Sequence, residues 1–306
     1  MEFIRKWLQV IFTFAVNGNW SFPFTRGIYQ GPLKVICSPG LNCYSCPAST
    51  TYCPIGSLQN LIGGVRLAIE NGQHFFGLSV LGGMGVLGGL FGRLICGWMC
   101  PFGFVQEMLH KISSKKVKIP RLLNYGKYGV LLVFVVLLPL FMVDDFGSGG
   151  PWFCKTLCPA GTLEAGLPLL LLQPHLRSTL GVLFVGKMMV LVLFMVWSVF
   201  SSRPFCRVMC PLGAFYGLFS RVRLVRMQLD KQRCTNCEAC HAVCPMEVKF
   251  NENPNDPECI TCMACMSKAC KCNAIYVEIG GVPIHAGAKP VESSSADVAV
   301  RQGQEG

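Results

Sequence analysis

Residues 96–103 read Cys-Gly-Trp-Met-Cys-Pro-Phe-Gly, and residues 206–213 read Cys-Arg-Val-Met-Cys-Pro-Leu-Gly. Their last four residues, Cys-Pro-x-Gly, also occur at residues 53–56 and 158–161. Proline is favoured at the first position of a helix, where its missing N–H costs no hydrogen bond. Each phrase therefore predicts a helix that begins at the proline, with the cysteine at its N-cap. Because each copy borders an apolar stretch, the four copies together predict a duplicated membrane fold.

The composition is typical of a membrane protein. Of the 306 residues, 52% are hydrophobic and 14% are charged, whereas a soluble domain carries about 25% charged residues. The formal net charge is +11, but the basic residues cluster beside apolar segments, where they set membrane topology. We therefore expect the membrane, and no nucleic acid, as a partner.

Four apolar segments predict transmembrane helices in a membrane domain of residues 1–226: residues 7–16, 75–95, 128–143 and 181–200. The first is shorter than the roughly 20 residues that a helix needs to cross a bilayer. Basic residues are concentrated between the second and third segments and after the fourth, which puts both termini in the cytoplasm. We expect an α-helical, multi-pass protein of the cell inner membrane with about four transmembrane helices.

Residues 227–279 are polar and dense in cysteine. Cys234-x-x-Cys237-x-x-Cys240-x-x-x-Cys244-Pro resembles the ligand run of bacterial ferredoxins, and Cys259-x-x-Cys262-x-x-Cys265 begins a second run. This resemblance implies a cytoplasmic α+β ferredoxin-like domain with two [4Fe-4S] clusters. One cluster would be held by Cys234, Cys237, Cys240 and Cys270, and the other by Cys259, Cys262, Cys265 and Cys244.

Two alternatives accompany this prediction. Cys272 is the alternative to Cys270, because the second run departs from the ferredoxin pattern after Cys265. A pair of zinc sites is the alternative to the clusters, although zinc has no need of the third cysteine and the proline. Residues 280–306 have no apolar period and predict a disordered tail.

The remaining cysteines predict two further sets in the membrane domain. The repeat implies a pseudo-twofold axis along the membrane normal, so equivalent copies should meet at the same face. The inner set, at the cytoplasmic face, is Cys96, Cys100, Cys206 and Cys210. The outer set, at the opposite face, is Cys46, Cys53, Cys154 and Cys158, with Cys37 and Cys43 as further candidates.

Four thiolates are the number that a cluster requires, so one or two additional iron–sulfur clusters are expected in the membrane domain. The alternatives are structural disulfides in the outer set, a thiol pair that exchanges with a partner in the inner set, and buried apolar cysteines.

The order of these features resembles the membrane-bound polyferredoxin family that includes NapH, the MauN-like proteins and the C-terminal half of NosR. The resemblance covers residues 70–279, and its most specific markers are residues 96–101 and 206–211. It implies an electron-transfer component of an oxidoreductase system. Electrons would pass between the quinone pool, or outer-face redox groups, and the cytoplasmic ferredoxin domain or a redox partner protein. A redox-sensing or maturation protein and a transmembrane thiol–disulfide reductant are the alternative functions.

Overall fold

The structure is a computed structural model that describes residues 2–72, 77–112, 116–145 and 147–284. Most of this part of the chain is helical. The helices, in chain order, are α1 (Glu2–Val16), α2 (Phe22–Thr25), α3 (Pro54–Glu70), α4 (Leu78–Phe91), α5 (Leu94–Trp98), α6 (Pro101–Leu109), α7 (Arg121–Phe141), α8 (Trp152–Thr156), α9 (Pro159–Leu172), α10 (Val182–Phe200), α11 (Pro204–Val208), α12 (Pro211–Leu218) and α13 (Ala239–Ala242). Short 3₁₀ or π turns occur at Pro32–Val35, Pro174–Thr179, Phe219–Arg221 and Cys265–Ala269.

The four Cys-Pro-x-Gly phrases begin α3, α6, α9 and α12, which confirms the prediction for these helices. In each case the cysteine is the N-cap, in an extended conformation, and the proline is the first helical residue. The upstream cysteines of three phrases lie on the short helices α5, α8 and α11. Each helix–turn–helix corner therefore carries two thiols close together.

Within the described ranges, two helices are long and apolar enough to cross a membrane, α7 and α10. Only 17% of the most apolar window of each is buried, so most of their apolar surface faces outward. An outward apolar surface of this kind is typical of contact with lipid or with another protein.

The predicted span 75–95 is not one continuous helix. Residues 75 and 76 lie outside the described residues, and α4 has 14 residues. It ends at Phe91 because Gly92 adopts a left-handed conformation with φ +53°, after which Arg93 is buried. Since α1 has only 15 residues, the count of four spans stays a prediction.

The C-terminal domain contains an antiparallel sheet of β1 (Val225–Leu229), β2 (Ile275–Ile279) and β3 (Val282–Ile284), in that order. Its buried residues form a small core with two residues of the cysteine-rich loops: Met227, Ile275, Phe250 and Met263. β3 lies in the segment for which the sequence predicted disorder. A strand therefore lies within the first residues of this segment, and residues 285–306 lie outside the described residues.

The C-terminal domain packs directly on the helical region. The indole Nε1 of Trp98 donates to the carbonyl of Thr261 at 3.0 Å. Interdomain ion pairs accompany this bond, among them Arg93 with Glu258 at 2.8 Å and Arg207 with Glu247 at 2.9 Å. These contacts hold the C-terminal domain against α5 and α11.

Candidate iron–sulfur sites

Two small cavities in the C-terminal domain are each lined by cysteines from both runs. One is lined by Cys244, Cys259, Cys262 and Cys265, and the other by Cys234, Cys237, Cys270 and Cys272, with Cys240 bordering both. The structure therefore brings together the groups of four that the ferredoxin resemblance implies.

Cys270 is better placed than Cys272 to act as the fourth ligand of its cavity. The backbone N–H of Ala274 donates to Cys270 Sγ at 3.2 Å, and N–H···S bonds of this kind tune iron–sulfur sites. Cys272 is exposed, and its sulfur lies 3.6 Å from that of Cys270.

The inner set of cysteines converges beneath this domain, and we name it the proximal site: Cys96, Cys100, Cys206 and Cys210. All four residues are buried. Burial, followed by the neighbouring thiols of Cys206 and Cys96, raises the pKa of Cys100 to about 12. Because metals bind cysteine as thiolate, loading of this site would displace protons from the thiols.

Gln106 joins the two halves of the proximal site. It lies six residues after Cys100, on α6, and is fully buried. Its Nε2 donates to Cys206 Sγ at 3.2 Å, and its Oε1 accepts the N–H of Phe205 at 3.2 Å. Gln106, which follows the first proximal motif, therefore holds both the thiol of Cys206 and the backbone of Phe205 in the second motif.

The outer cysteines form a second site, but with a different membership from the one predicted. A cavity of about 350 Å³ is lined by Cys43, Cys53, Cys154 and Cys158, which we name the distal site. Cys46 does not line this cavity, and its Sγ lies 3.7 Å from Asn17 Oδ1. Cys37 is exposed. A proline follows Cys46, as it does the other predicted N-cap cysteines, but no helix begins at that proline.

The distal site repeats the contacts of the proximal site. Gln59, six residues after Cys53, donates to Cys154 Sγ at 3.2 Å and accepts the N–H of Phe153 at 2.8 Å. Glu164, six residues after Cys158, accepts the N–H of Cys43 at 2.8 Å. In three of the four copies the sixth residue after the Cys-Pro cysteine thus reaches across to the other half of the same site; in the fourth, Tyr216 donates to the carbonyl of Pro39 at 3.0 Å.

The sequence analysis missed these bridging residues, although a signal for them is present. Extending the phrase to Cys-Pro-x-Gly-x-x-Gln marks Gln59 and Gln106. In the same way, Arg93 and Arg203 each lie three residues before a proximal cysteine, in the pattern Arg-x-x-Cys-x-x-x-Cys-Pro. The corresponding position of the third copy is Pro151, so the arginine distinguishes the proximal motifs from the distal one.

The proximal and distal sites are neighbours, which corrects the prediction that they lie at opposite membrane faces. A Cβ atom at Gly40 would lie 3.1 Å from the Cα of Cys100, and the next two residues, Leu41 and Asn42, line the distal cavity. Consecutive residues are about 3.8 Å apart, whereas the hydrocarbon core of a bilayer is about 30 Å thick. One short loop therefore contacts both sites.

The thiols present fit iron–sulfur clusters. Each site offers four cysteines, the complement that a [4Fe-4S] cluster takes. All nineteen cysteines lie in the described part of the chain, and none is in a disulfide. No group of three or more Cys, His, Asp or Glu among the described residues has the geometry of a single-ion site. Cubane ligands surround four separate irons and do not converge on one ion.

A buried arginine gives an independent indication of an anionic group in the C-terminal domain. Arg223 is 1% exposed and donates to the Cys259 carbonyl at 3.2 Å and to Thr261 Oγ1 at 3.0 Å. Its Nε and Nη2 have no hydrogen-bond partner among the described residues. Since a buried charge without a counter-ion is costly, the anionic four-thiolate cluster implied beside Cys259 would stabilise it.

Comparison with known proteins connects the membrane-domain cysteines with iron–sulfur binding. The family described as "4Fe-4S binding domain" matches residues 73–120, 128–170 and 184–229. Each matched segment contains one Cys-x-x-x-Cys-Pro pair. The matches therefore include all four proximal cysteines and two of the distal ones, Cys154 and Cys158, and end before the cysteines of the C-terminal domain.

Full-chain comparisons lead to the same group. An uncharacterized protein of Methanocaldococcus jannaschii is 33% identical over 196 residues, which cover 61% of this chain and 72% of that protein. The methylamine utilization ferredoxin-type protein MauN of Methylobacillus flagellatus is 26% identical over 198 residues, 63% of this chain and 60% of MauN. The chain belongs to the ferredoxin-type 4Fe-4S family that includes MauN and NosR. The family resemblance predicted from the sequence is confirmed.

A further relative of this MauN-like chain is the putative electron transport protein YccM of Escherichia coli, 23% identical over 228 residues, 70% of this chain and 59% of YccM. The chain thus spans about three fifths of MauN and of YccM. No solved structure matches it significantly.

Proposed function

We propose that this MauN-like protein is an integral membrane carrier of electrons between its cytoplasmic ferredoxin-like domain and a quinone at the distal site. The observation that carries the proposal is one continuous buried core that contains cysteines of three sites. It includes Cys53 and Cys158 of the distal site, Cys100 and Cys210 of the proximal site, and Cys262 of the C-terminal domain. The names of MauN and YccM, a ferredoxin-type protein and a putative electron transport protein, support the same class of activity.

The chain's own residues supply the spacing and the environment of the sites. When bound, a [4Fe-4S] cluster supplies the capacity to take up and release an electron. Gln106 and Gln59 hold cysteines of facing halves together, and the loop at residues 40–42 contacts both sites. Six of the eight proposed ligands in the membrane domain are buried, which limits the access of water to them.

The cavity of the distal site supports a quinone as the small-molecule partner. Its volume of about 350 Å³ is more than ten times that of either cysteine-lined cavity of the C-terminal domain, about 20 and 30 Å³, which leaves room for a quinone ring beside the cluster. Apolar side chains including Leu169 and Phe184 line it, together with Tyr44, Lys155 and Lys187. An apolar cavity with a few polar groups suits a ring that carries two carbonyl oxygens. In this proposal four helices span the membrane and both termini are cytoplasmic.

The test uses the full chain, purified without oxygen and placed in lipid nanodiscs. We expect a short-chain quinol to reduce the clusters of the C-terminal domain. The reduction is monitored by the electron paramagnetic resonance (EPR) signals of these clusters. Cys210→Ala should slow this reduction at least tenfold while leaving the signals of the C-terminal clusters intact. Cys37→Ala, which changes an exposed thiol outside all four sites, is the control.

Equal reduction rates in Cys210→Ala and wild type would overturn the proposed route. Absence of any reduction by quinol in the wild type would overturn the quinone assignment. A redox sensor is indicated in its place if the clusters respond only to a soluble partner.

A further inference from the structure

Two buried arginines make reciprocal contacts across the proximal site. Arg93 Nη2 donates to the carbonyl of Cys206 at 3.3 Å, and Arg203 Nη1 donates to the carbonyl of Cys96 at 2.6 Å. Their side chains are 1% and 0% exposed. Each arginine precedes one pair of cysteines and binds the backbone of the other pair, so both guanidinium groups lie next to the four thiols.

The glycines of the two phrases make room for these guanidinium groups. A Cβ atom at Gly213 would lie 3.2 Å from Arg93 Nη2, and one at Gly103 would lie 3.2 Å from Arg203 Nη1. Real Cβ contacts are rarely this close. In each proximal motif, the absence of a side chain on the glycine therefore leaves space for the arginine of the other half.

Each arginine belongs to a buried group of two basic side chains and one carboxylate. Arg203 and Arg5 both contact Glu107, at 2.8 and 2.9 Å, and Arg93 and Lys127 both contact Glu258, the first at 2.8 Å. Each carboxylate is thus paired with two basic side chains, so each group keeps about one excess positive charge.

Two excess positive charges beside the four thiols would balance the negative charge of a [4Fe-4S] cluster bound at the proximal site. An oxidised [4Fe-4S] core with four thiolates is a dianion, and its reduction adds one more negative charge. Positive charge held close in a buried environment favours the more negative, reduced form. The hydrogen bonds to the carbonyls of Cys206 and Cys96 hold the two guanidinium groups next to the thiols.

We propose that Arg93 and Arg203 raise the reduction potential of the proximal site, which makes it a station where an electron is held on its way through the protein. This inference rests on the proposed function, because it requires a cluster at the proximal site. The two arginines act on the reacting group through charge and position, with no part in ligation.

The test is a potentiometric EPR titration of the full chain in nanodiscs, with the proximal signal identified as the one that Cys100→Ala removes. At a fixed potential, Arg93→Gln and Arg203→Gln should each lower the ratio of reduced to oxidised proximal cluster about tenfold. For a one-electron couple this equals about 59 mV. Arg93→Lys, which keeps the charge, should retain a potential close to that of the wild type.

Arg207→Gln is the matched control. Arg207 is also buried and also pairs with a glutamate of the C-terminal domain, Glu247 at 2.9 Å, but it donates to the carbonyl of Ile119 and to no cysteine. Because Arg207 is paired with Glu247 and makes no hydrogen bond to a proximal cysteine, Arg207→Gln should shift the proximal potential clearly less than Arg93→Gln and Arg203→Gln do. An unshifted potential in both Arg93→Gln and Arg203→Gln, or an equal shift in Arg207→Gln, overturns the inference. If the wild type lacks a proximal signal, it is the proposed function that fails.

Discussion

Replacing Cys100 by alanine is expected to remove about four iron atoms and four acid-labile sulfides per chain, because a cubane that loses one of its four thiolates is not retained. The C-terminal clusters should keep their EPR signals, since their ligands lie in separate cavities. Iron and sulfide are measured on protein purified without oxygen, with far-ultraviolet circular dichroism to show that the helices persist.

Cys37→Ala serves as the control for this measurement and should keep the iron content of the wild type. An iron content in Cys100→Ala equal to that of the wild type would contradict a cluster at the proximal site. It would favour the alternative in which the inner thiols exchange with a partner.

The second large effect separates Cys43 from Cys46, which lie three residues apart in one loop. Cys43→Ala should lose about four iron atoms per chain, because Cys43 lines the distal cavity with three other cysteines. Cys46→Ala should lose none, since its sulfur faces Asn17 outside that cavity. The paired variants differ in one thiol within the same loop, so each is the control of the other.

Iron loss in Cys46→Ala, together with the wild-type iron content in Cys43→Ala, would show that Cys46 and not Cys43 is a ligand of the distal site. Full iron in both variants, with a disulfide found by mass spectrometry under oxidising conditions, would favour the structural role that an oxidising compartment permits.

Local sequence signals predicted the local structure well. Proline at the first helical position places a cysteine at each N-cap, and this holds at all four phrases. At these phrases the residues that determine the geometry are adjacent in the chain. The grouping of the C-terminal cysteines, in which Cys244 and Cys270 each join the other run, is the one that the resemblance to ferredoxins implied.

Contacts between segments that are distant in the chain could not be predicted from the sequence. The loop that carries Leu41 and Asn42 has no apolar period, so nothing in it predicted that it would lie between the two sites. Hydropathy alone placed Arg93 inside a transmembrane segment, whereas the chain turns at Gly92 and buries Arg93 against Glu258. Tertiary packing determines which residue pairs with a buried charge. A hydropathy average over neighbouring residues carries no information about such a distant partner.

The most direct test of the account is the iron and acid-labile sulfide content of the anaerobically purified wild-type chain. Four sites of four thiols predict about 16 iron atoms and about 16 sulfides per chain. A content of about eight of each, with the proximal and distal thiols open to alkylation in the folded protein, would contradict clusters in the membrane domain.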